Sequence, residues 1–180
     1  SAQGAPLWSR RFGTSGGYAQ GLHVSTDAAG SVALTGKFAE RIDFGGGAAM
    51  SAGSGDGFVA MFSSAGAHLW SRTFGGADLD YGGPVAFDPG GNVIATGRFG
   101  GTVDLGHGPM SSLGRYDFFV AKYLGSNGTL VWSHRLGGEL REDVTAVATD
   151  ESCDIVLTGA IFDNSWSGPA DGGFILRLMP

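Results

Sequence analysis

Four histidines are the side chains best suited to acid–base or metal chemistry, because imidazole titrates near neutral pH and binds transition metals. They are His23, His68, His107 and His134. They occupy unrelated positions in the internal repeat of the chain, and no H-x-x-x-H or H-E-x-x-H spacing places two of them together. The histidine pattern therefore predicts no metal site and no catalytic residue.

Acidic side chains gather in two loops at corresponding positions of the repeat. The clusters comprise Asp78 and Asp80 in one loop and Glu139, Glu142 and Asp143 in the next. Carboxylates at this density either collect a cation or form a solvated charged turn, and the second is commoner. No D-x-D-x-D-G run with a distal glutamate is present, so the sequence predicts neither a metal nor another cofactor.

A tryptophan without a counterpart in the other repeats is the first candidate for ligand contact. Trp166 lies in a polar loop with Asp163 and Asn164. An indole face flanked by hydrogen-bonding groups suits the stacking of a sugar ring. The alternative is that Trp166 fills the space left by a deletion in its repeat.

Two long loops rich in glycine and serine supply the remaining candidates. They span Glu40–Gly55 and Gly100–Tyr116, and the second carries His107, Arg115 and Tyr116. Long loops on a rigid scaffold are where binding specificity is usually placed. We therefore add these three residues to the predicted ligand site. The alternative is that both loops are mobile edges without a function.

Three copies of one unit must position these residues. A Leu-Trp-Ser or Val-Trp-Ser motif recurs, and its tryptophans, Trp8, Trp70 and Trp132, are 62 residues apart. A residue present in every copy is most simply explained by what every copy needs, so we expect the tryptophans to pack adjacent units together. The units lie in a single domain, 1–180, and cover approximately residues 7–62, 63–123 and 124–180.

Each unit contains four short apolar or alternating runs without a helical period, and glycine and Asx turns separate them. The run Asp88-Pro89-Gly90-Gly91-Asn92 predicts a hairpin turn, since proline fixes φ and glycine allows positive φ. Four antiparallel strands at a fixed period are typical of β-propeller blades. A parallel β-helix is less favoured. The 34 glycines accompany 42% hydrophobic residues, which is enough apolar material for a core.

The repeat resembles a known bacterial family. The phrases D-x-F-V-A-K-Y, L-x-W-S-x-x-x-G-G and V-A-x-D-x-x-G-N-V-x-x-T-G are similar to the SBBP repeat, named for seven-bladed β-propellers, over Asp117–Gly138 and Phe74–Phe99. This chain has three copies instead of seven, and the third is shortened between Gly159 and Asp171. The resemblance implies a propeller and an exported bacterial protein, secreted or at the cell surface. It implies no catalytic residue, because the motif is structural.

Two predicted strands, Leu7–Gly13 and Phe174–Leu178, lack the neighbour that each equivalent strand has elsewhere in the repeat. Propeller rings contain about four to eight blades, so three units cannot close a ring alone. Two hypotheses stay open. Two copies form a six-bladed homodimer through these two segments, or the chain is a fragment of a larger propeller.

The sequence predicts a non-enzymatic, lectin-like recognition or scaffold module that binds a glycan or a protein through its loops and a central pocket. Two alternatives stay open: a hydrolase or lyase with an acid–base pair in the channel, such as His107 with an aspartate, and a structural spacer in a surface protein. The net charge of −6 argues against nucleic-acid or anionic-membrane partners. With Cys153 as the single cysteine, no intrachain disulfide can form.

Overall fold

The computed structural model describes residues 4–13, 17–162 and 170–179. These residues form fifteen β-strands and no helix, in chain order β1 (Tyr18–Thr26), β2 (Val32–Ala39), β3 (Arg41–Asp43), β4 (Ala48–Met50), β5 (Asp56–Phe62), β6 (His68–Phe74), β7 (Tyr81–Phe87), β8 (Val93–Phe99), β9 (Thr102–Asp104), β10 (Pro109–Ser111), β11 (Asp117–Tyr123), β12 (Leu130–Leu136), β13 (Arg141–Thr149), β14 (Ile155–Phe162) and β15 (Gly172–Leu178). The prediction of an all-β fold is confirmed.

Three antiparallel sheets follow one another along the chain. Sheet 1 has the strand order β1-β2-β5-β6, sheet 2 has the order β7-β8-β11-β12, and the described strands of sheet 3 are β13-β14-β15. In each sheet a glycine of the second strand pairs with a phenylalanine of the third. The pairs are Gly36–Phe58, Gly97–Phe119 and Gly159–Phe174. Glycine is needed there because a Cβ would lie less than 3 Å from the phenylalanine ring.

Each of the two long loops folds into a short hairpin that helps to form the core. Strands β3 and β4 pair in the first loop, and β9 and β10 pair in the second. The apolar side chains of these hairpins, Ile42 and Phe44 in the first and Val103 and Leu105 in the second, are buried. The hairpins therefore close apolar surfaces of the sheets.

The sheets pack face to face at two junctions. At junction 1, between sheets 1 and 2, Phe74 meets Phe119 edge-on with ring centroids 4.8 Å apart. At junction 2, between sheets 2 and 3, Phe118 stacks on Phe174 with centroids 5.5 Å apart. Residues on alternate sides of one strand thus serve different junctions, which is the consequence of the two-residue period of a strand.

The recurring tryptophans pack one unit against the next, as the sequence predicts. Trp70 at the outer strand of sheet 1 donates its indole N–H to the Gly125 carbonyl of sheet 2 at 2.8 Å. Trp132 of sheet 2 packs against the apolar cluster of junction 2. Trp8 makes the corresponding bond to the Ser64 carbonyl of sheet 1 at 3.0 Å.

The prediction of a strand at Leu7–Gly13 is wrong for the single chain. The segment forms no ladder with any described strand. It lies against sheet 1 through side chains, and the Phe12 ring is 5.0 Å from the ring of Phe44. A strand conformation is fixed by ladder hydrogen bonds to a neighbouring edge, and within the single chain this segment pairs with the edge of no described strand.

Candidate functional site

The turns that follow the first strand of each sheet converge on one groove, which we name the three-turn groove. It is lined by residues 26–29, 87–91 and 149–151, at corresponding positions of the three sheets. Its volume is about 520 Å³, within the range of ~300–1,000 Å³ that is usual for small-ligand sites. Because β7 packs against both β1 and β13, the repeat itself brings the three turns together.

An aspartate builds each of these turns. Its Oδ1 accepts a hydrogen bond from the backbone N–H four residues later, in the pairs Asp27–Ser31 at 2.7 Å, Asp88–Asn92 at 2.8 Å and Asp150–Asp154 at 2.9 Å. Each aspartate thus caps its own turn, and the hairpin turn predicted at Asp88-Pro89-Gly90-Gly91-Asn92 is confirmed. The residue directly before the N–H donor needs a positive φ. Gly30 and Gly91 supply it in the first two turns, whereas the third turn has Cys153 at φ 68°.

Two of the three aspartates are neutralised by a cation from the third strand of their own sheet. Asp88 Oδ2 lies 2.8 Å from Lys122 Nζ, and Asp150 Oδ2 lies 3.2 Å from Arg177 Nη2. Burial raises the pKa of Asp88, but the hydrogen bonds from Lys122 and Asn92 outweigh it and leave this pKa below its ordinary value.

The first turn lacks this cation. Met61 occupies the place in sheet 1 that Lys122 occupies in sheet 2, because it pairs with Ala33 as Lys122 pairs with Ile94. Within the described part of the chain, Asp27 forms no ion pair, and neither does Glu151 on the opposite side of the groove. These two carboxylates leave the groove with negative charge available to a ligand.

A hydrogen bond between sheets holds two of the turns in place. The Thr149 hydroxyl of sheet 3 donates to the Phe87 carbonyl of sheet 2 at 2.6 Å. Both residues line the groove. The second and third walls of the groove are therefore fixed to one another as well as to their own sheets.

At the other end of β7 an arginine is held between two aromatic rings. The Arg98 guanidinium lies 4.4 Å from the ring centroids of both Tyr81 and Tyr116. Its Nη1 is 3.3 Å from Asp143 Oδ1 of sheet 3, which also accepts the Tyr81 hydroxyl at 3.3 Å. Burial raises the pKa of Tyr81 to about 12. This buried cluster joins sheets 2 and 3, and sequence reasoning did not identify it.

The predicted ligand residues lie in different places. Tyr116 is buried beneath Arg98, and the exposed Arg115 places its guanidinium 5.6 Å from the Tyr116 ring. His107 is exposed in the turn between β9 and β10. The remaining predicted residues, Asp163, Asn164 and Trp166, fall outside the described residues. A ligand role for all six stays a prediction.

Two buried carboxylates meet at junction 1. Asp80 is fully buried and accepts hydrogen bonds from Gly76 N–H at 2.9 Å and Gly100 N–H at 3.0 Å. Burial, with a smaller effect of the nearby Asp56 carboxylate, raises the pKa of Asp80 to about 6. Burial also raises the pKa of Asp56, whose Oδ1 is buried without a hydrogen-bond partner.

The equivalent carboxylates at junction 2 are Asp117 and Glu142. Here Arg135 Nη1 approaches Asp117 Oδ2 to 2.6 Å. Glu142 accepts the Gly138 N–H at 3.2 Å, and burial raises its pKa. The acidic loops of the sequence are therefore engaged in joining sheets. In the described ranges no group of three or more His, Cys, Asp or Glu side chains is arranged to hold a metal ion.

The comparisons with known proteins agree with a repeated fold. No model of a known protein family matches the chain. An uncharacterised WD repeat-containing protein of Acanthamoeba polyphaga mimivirus is 28% identical over 85 residues. The match covers 42% of this chain and 6% of that protein, so the chain spans a small part of the relative's length. The described residues include no helix able to cross a bilayer.

Proposed function

We propose that this chain is a propeller-type scaffold and recognition module without a catalytic role. Its three sheets stack face to face in one order, and β7 contacts the first strands of both neighbouring sheets. Blades around a propeller axis are arranged in this way, and WD repeats build propellers. A ring with more than three blades is part of the proposal, as is export to the cell surface or beyond, which the SBBP resemblance supports.

The convergence of three equivalent turns on one groove is the observation that carries the recognition role. Each turn is fixed by its aspartate cap, and Thr149 ties two turns together. A rigid concave site loses little conformational entropy when a ligand binds. The repeat therefore produces a preformed site as a by-product of its packing.

We favour a glycan as the ligand of the three-turn groove. The carboxylates of Asp27 and Glu151 can accept hydrogen bonds from sugar hydroxyls, while Phe87 and Pro89 offer apolar surface in the same lining. A sugar ring presents hydroxyls at its edge and C–H groups on its face, so it matches both kinds of surface.

Hydrolase or lyase chemistry has less support in the groove. A general acid or base must lie within hydrogen-bond reach of the bond that it acts on. Among the described residues no histidine lines the groove, and His107 is in the β9–β10 turn. The carboxylates of raised pKa are Asp56 and Asp80 in junction 1 and Glu142 in junction 2, and none of them is among the lining residues.

A glycan-array screen followed by NMR titration of the best sugar into labelled protein tests the proposal. Asp27→Asn and Glu151→Gln remove charge, and asparagine keeps the Oδ1 that caps the turn. We expect each variant to bind at least about tenfold more weakly, since hydrogen bonds to charged groups contribute about 1.5–3 kcal/mol.

Asp104→Asn is the matched control. Asp104 also caps a turn, accepting the Gly106 N–H at 2.7 Å, but it does not line the groove, so binding should be unchanged. Binding that is lost equally in the control would reject the site. A protein partner captured by the groove would replace the glycan, and the absence of both kinds of ligand would favour the spacer.

A further inference from the structure

The outer edge of β15 is unoccupied in the described part of the chain, unlike the edges of its counterparts. Strands β5 and β11 are flanked on that side by β6 and β12. Val59 and Val120 at the centres of those strands are fully buried, whereas the equivalent Ile175 of β15 is 78% exposed. Sheet 3 thus presents an apolar face and an open edge where the other two sheets are covered.

The opposite face of sheet 1 is open at its first strand. Val24 is 64% exposed, and it pairs with Leu34 as Val85 pairs with Ala95 in sheet 2. Val85 is buried because sheet 1 covers it at junction 1. Val24 and Ile175 therefore belong to the two complementary faces that form a junction everywhere else in the molecule.

The segment Leu7–Gly13 already occupies the place of an outer strand beside sheet 1. The Trp8 indole lies over Gly66 and donates to a carbonyl of the same turn, as Trp70 does over Gly128 in sheet 2. Phe12 packs on Phe44 and Phe62. The side chains of Leu7–Gly13 are thus packed against sheet 1, but its backbone forms no ladder with any described strand.

Charged residues near the two open edges also resemble an ion pair found inside the molecule. In junction 2, Arg135 of the outer strand pairs with Asp117 at the start of the third strand. The open pair offers Arg11, which follows Trp8 by three residues as Arg135 follows Trp132. Its acidic counterpart is Asp171, directly before Gly172, which holds the register place of Asp117 because it pairs with Ile161 as Asp117 pairs with Phe99. Arg11 and Asp171 are both exposed, and neither forms an ion pair with another described residue.

We propose that a second copy of this chain completes sheet 3: Leu7–Gly13 of one copy adds as the fourth, antiparallel strand beside Gly172–Leu178 of the other. The register of β5 with β6 places Phe174 opposite Arg11 and Arg177 opposite Trp8. Arg11 then reaches Asp171, and the open face of sheet 3 covers Val24. Two such exchanges close two chains into a ring of six sheets, within the size range of propellers.

This inference rests on the propeller arrangement proposed above but not on a glycan in the groove. Sedimentation equilibrium of the wild-type chain should give twice the 18.4 kDa chain mass. Arg11→Glu and Asp171→Arg should each raise the dissociation constant of the dimer at least tenfold. The double variant, with the charges exchanged, should recover most of that loss.

Asp104→Asn is the control, because Asp104 is exposed in the β9–β10 hairpin, which packs into junction 1 within one chain, and its dissociation constant should match the wild type. A folded monomer at all concentrations would overturn the inference, as would single variants that do not weaken the dimer. A mass that keeps growing with concentration would overturn the closed ring. Glycan binding by a monomer would leave the recognition role intact.

Discussion

Junctions 1 and 2 bring two carboxylates to the same place and treat their charge differently. At junction 2, Arg135 pairs with the fully buried Asp117. At junction 1 the corresponding outer-strand residue is the exposed Thr73, which brings no charge. Burial raises the pKa of Asp56 and Asp80 there, as it raises that of Glu142 at junction 2. The repeat thus fixes where the acids meet, and one outer-strand side chain decides whether a cation joins them.

The apolar packing is more complete at junction 1 than at junction 2. At junction 1, Trp70 is buried, its ring lies 6.0 Å from the ring of Tyr123, and the β9–β10 hairpin adds Leu105 to the cluster. At junction 2 the equivalent Trp132 is only partly buried. Junction 1 therefore buries more of its tryptophan, whereas junction 2 has an ion pair at its carboxylates.

The largest expected effect is a difference in stability between variants of the two tryptophans. Trp70→Ala should lower the free energy of unfolding by about 3–5 kcal/mol, since it empties a buried site and removes the bond to Gly125. Trp132→Ala should cost about half as much, because its ring is partly solvated. Urea unfolding followed by far-UV circular dichroism measures both. Equal losses would contradict the contrast between the junctions.

The next effect is the pH dependence that Asp80 gives to junction 1. Its folded pKa of about 6 lies above the ordinary 3.8, so the folded state holds the proton more tightly than the unfolded state. The stabilisation that this proton contributes is complete below about pH 4 and is lost as the pH rises through about 6. The loss in the free energy of unfolding reaches about 3 kcal/mol at pH 7.

Unfolding free energies measured from pH 4 to 7 check this, and Asp80→Asn should remove most of that slope. Asp104→Asn, at an exposed hairpin turn, should leave the slope as it is. A slope that survives intact in Asp80→Asn would assign the effect to other carboxyl groups.

The smallest effects come from exchanging the outer-strand residues. Arg135→Thr should destabilise the protein by about 2 kcal/mol, because a buried carboxylate loses its cation. Thr73→Arg should stabilise it by about 1 kcal/mol at pH 7. It should also shift the pH dependence of the free energy of unfolding that comes from junction 1 to lower pH. Thermal unfolding of both variants measures the exchange, and a stabilising Arg135→Thr would refute the assigned role of the ion pair.

Sequence reasoning found the strands of the three sheets, the hairpin turn at Asp88 and the packing tryptophans because each recurs with the period of the repeat. It missed the hairpins inside the long loops, since three-residue strands such as Arg41–Asp43 give no periodic signal. It also treated Asp80 and Glu142 as loop residues. Their recurrence 62 positions apart was a signal, but their partners, Asp56 and Asp117, come from neighbouring units.

The sequence by itself determined the repeated β unit, because alternation, turn chemistry and spacing are local properties of the chain. Tertiary structure alone decided which residues meet between sheets: the carboxylate pairs, the Arg98 cluster and the groove of three turns. The reason is physical, since face-to-face packing joins side chains more than twenty residues apart, and their burial, charge and pKa depend on that neighbour and not on the local sequence.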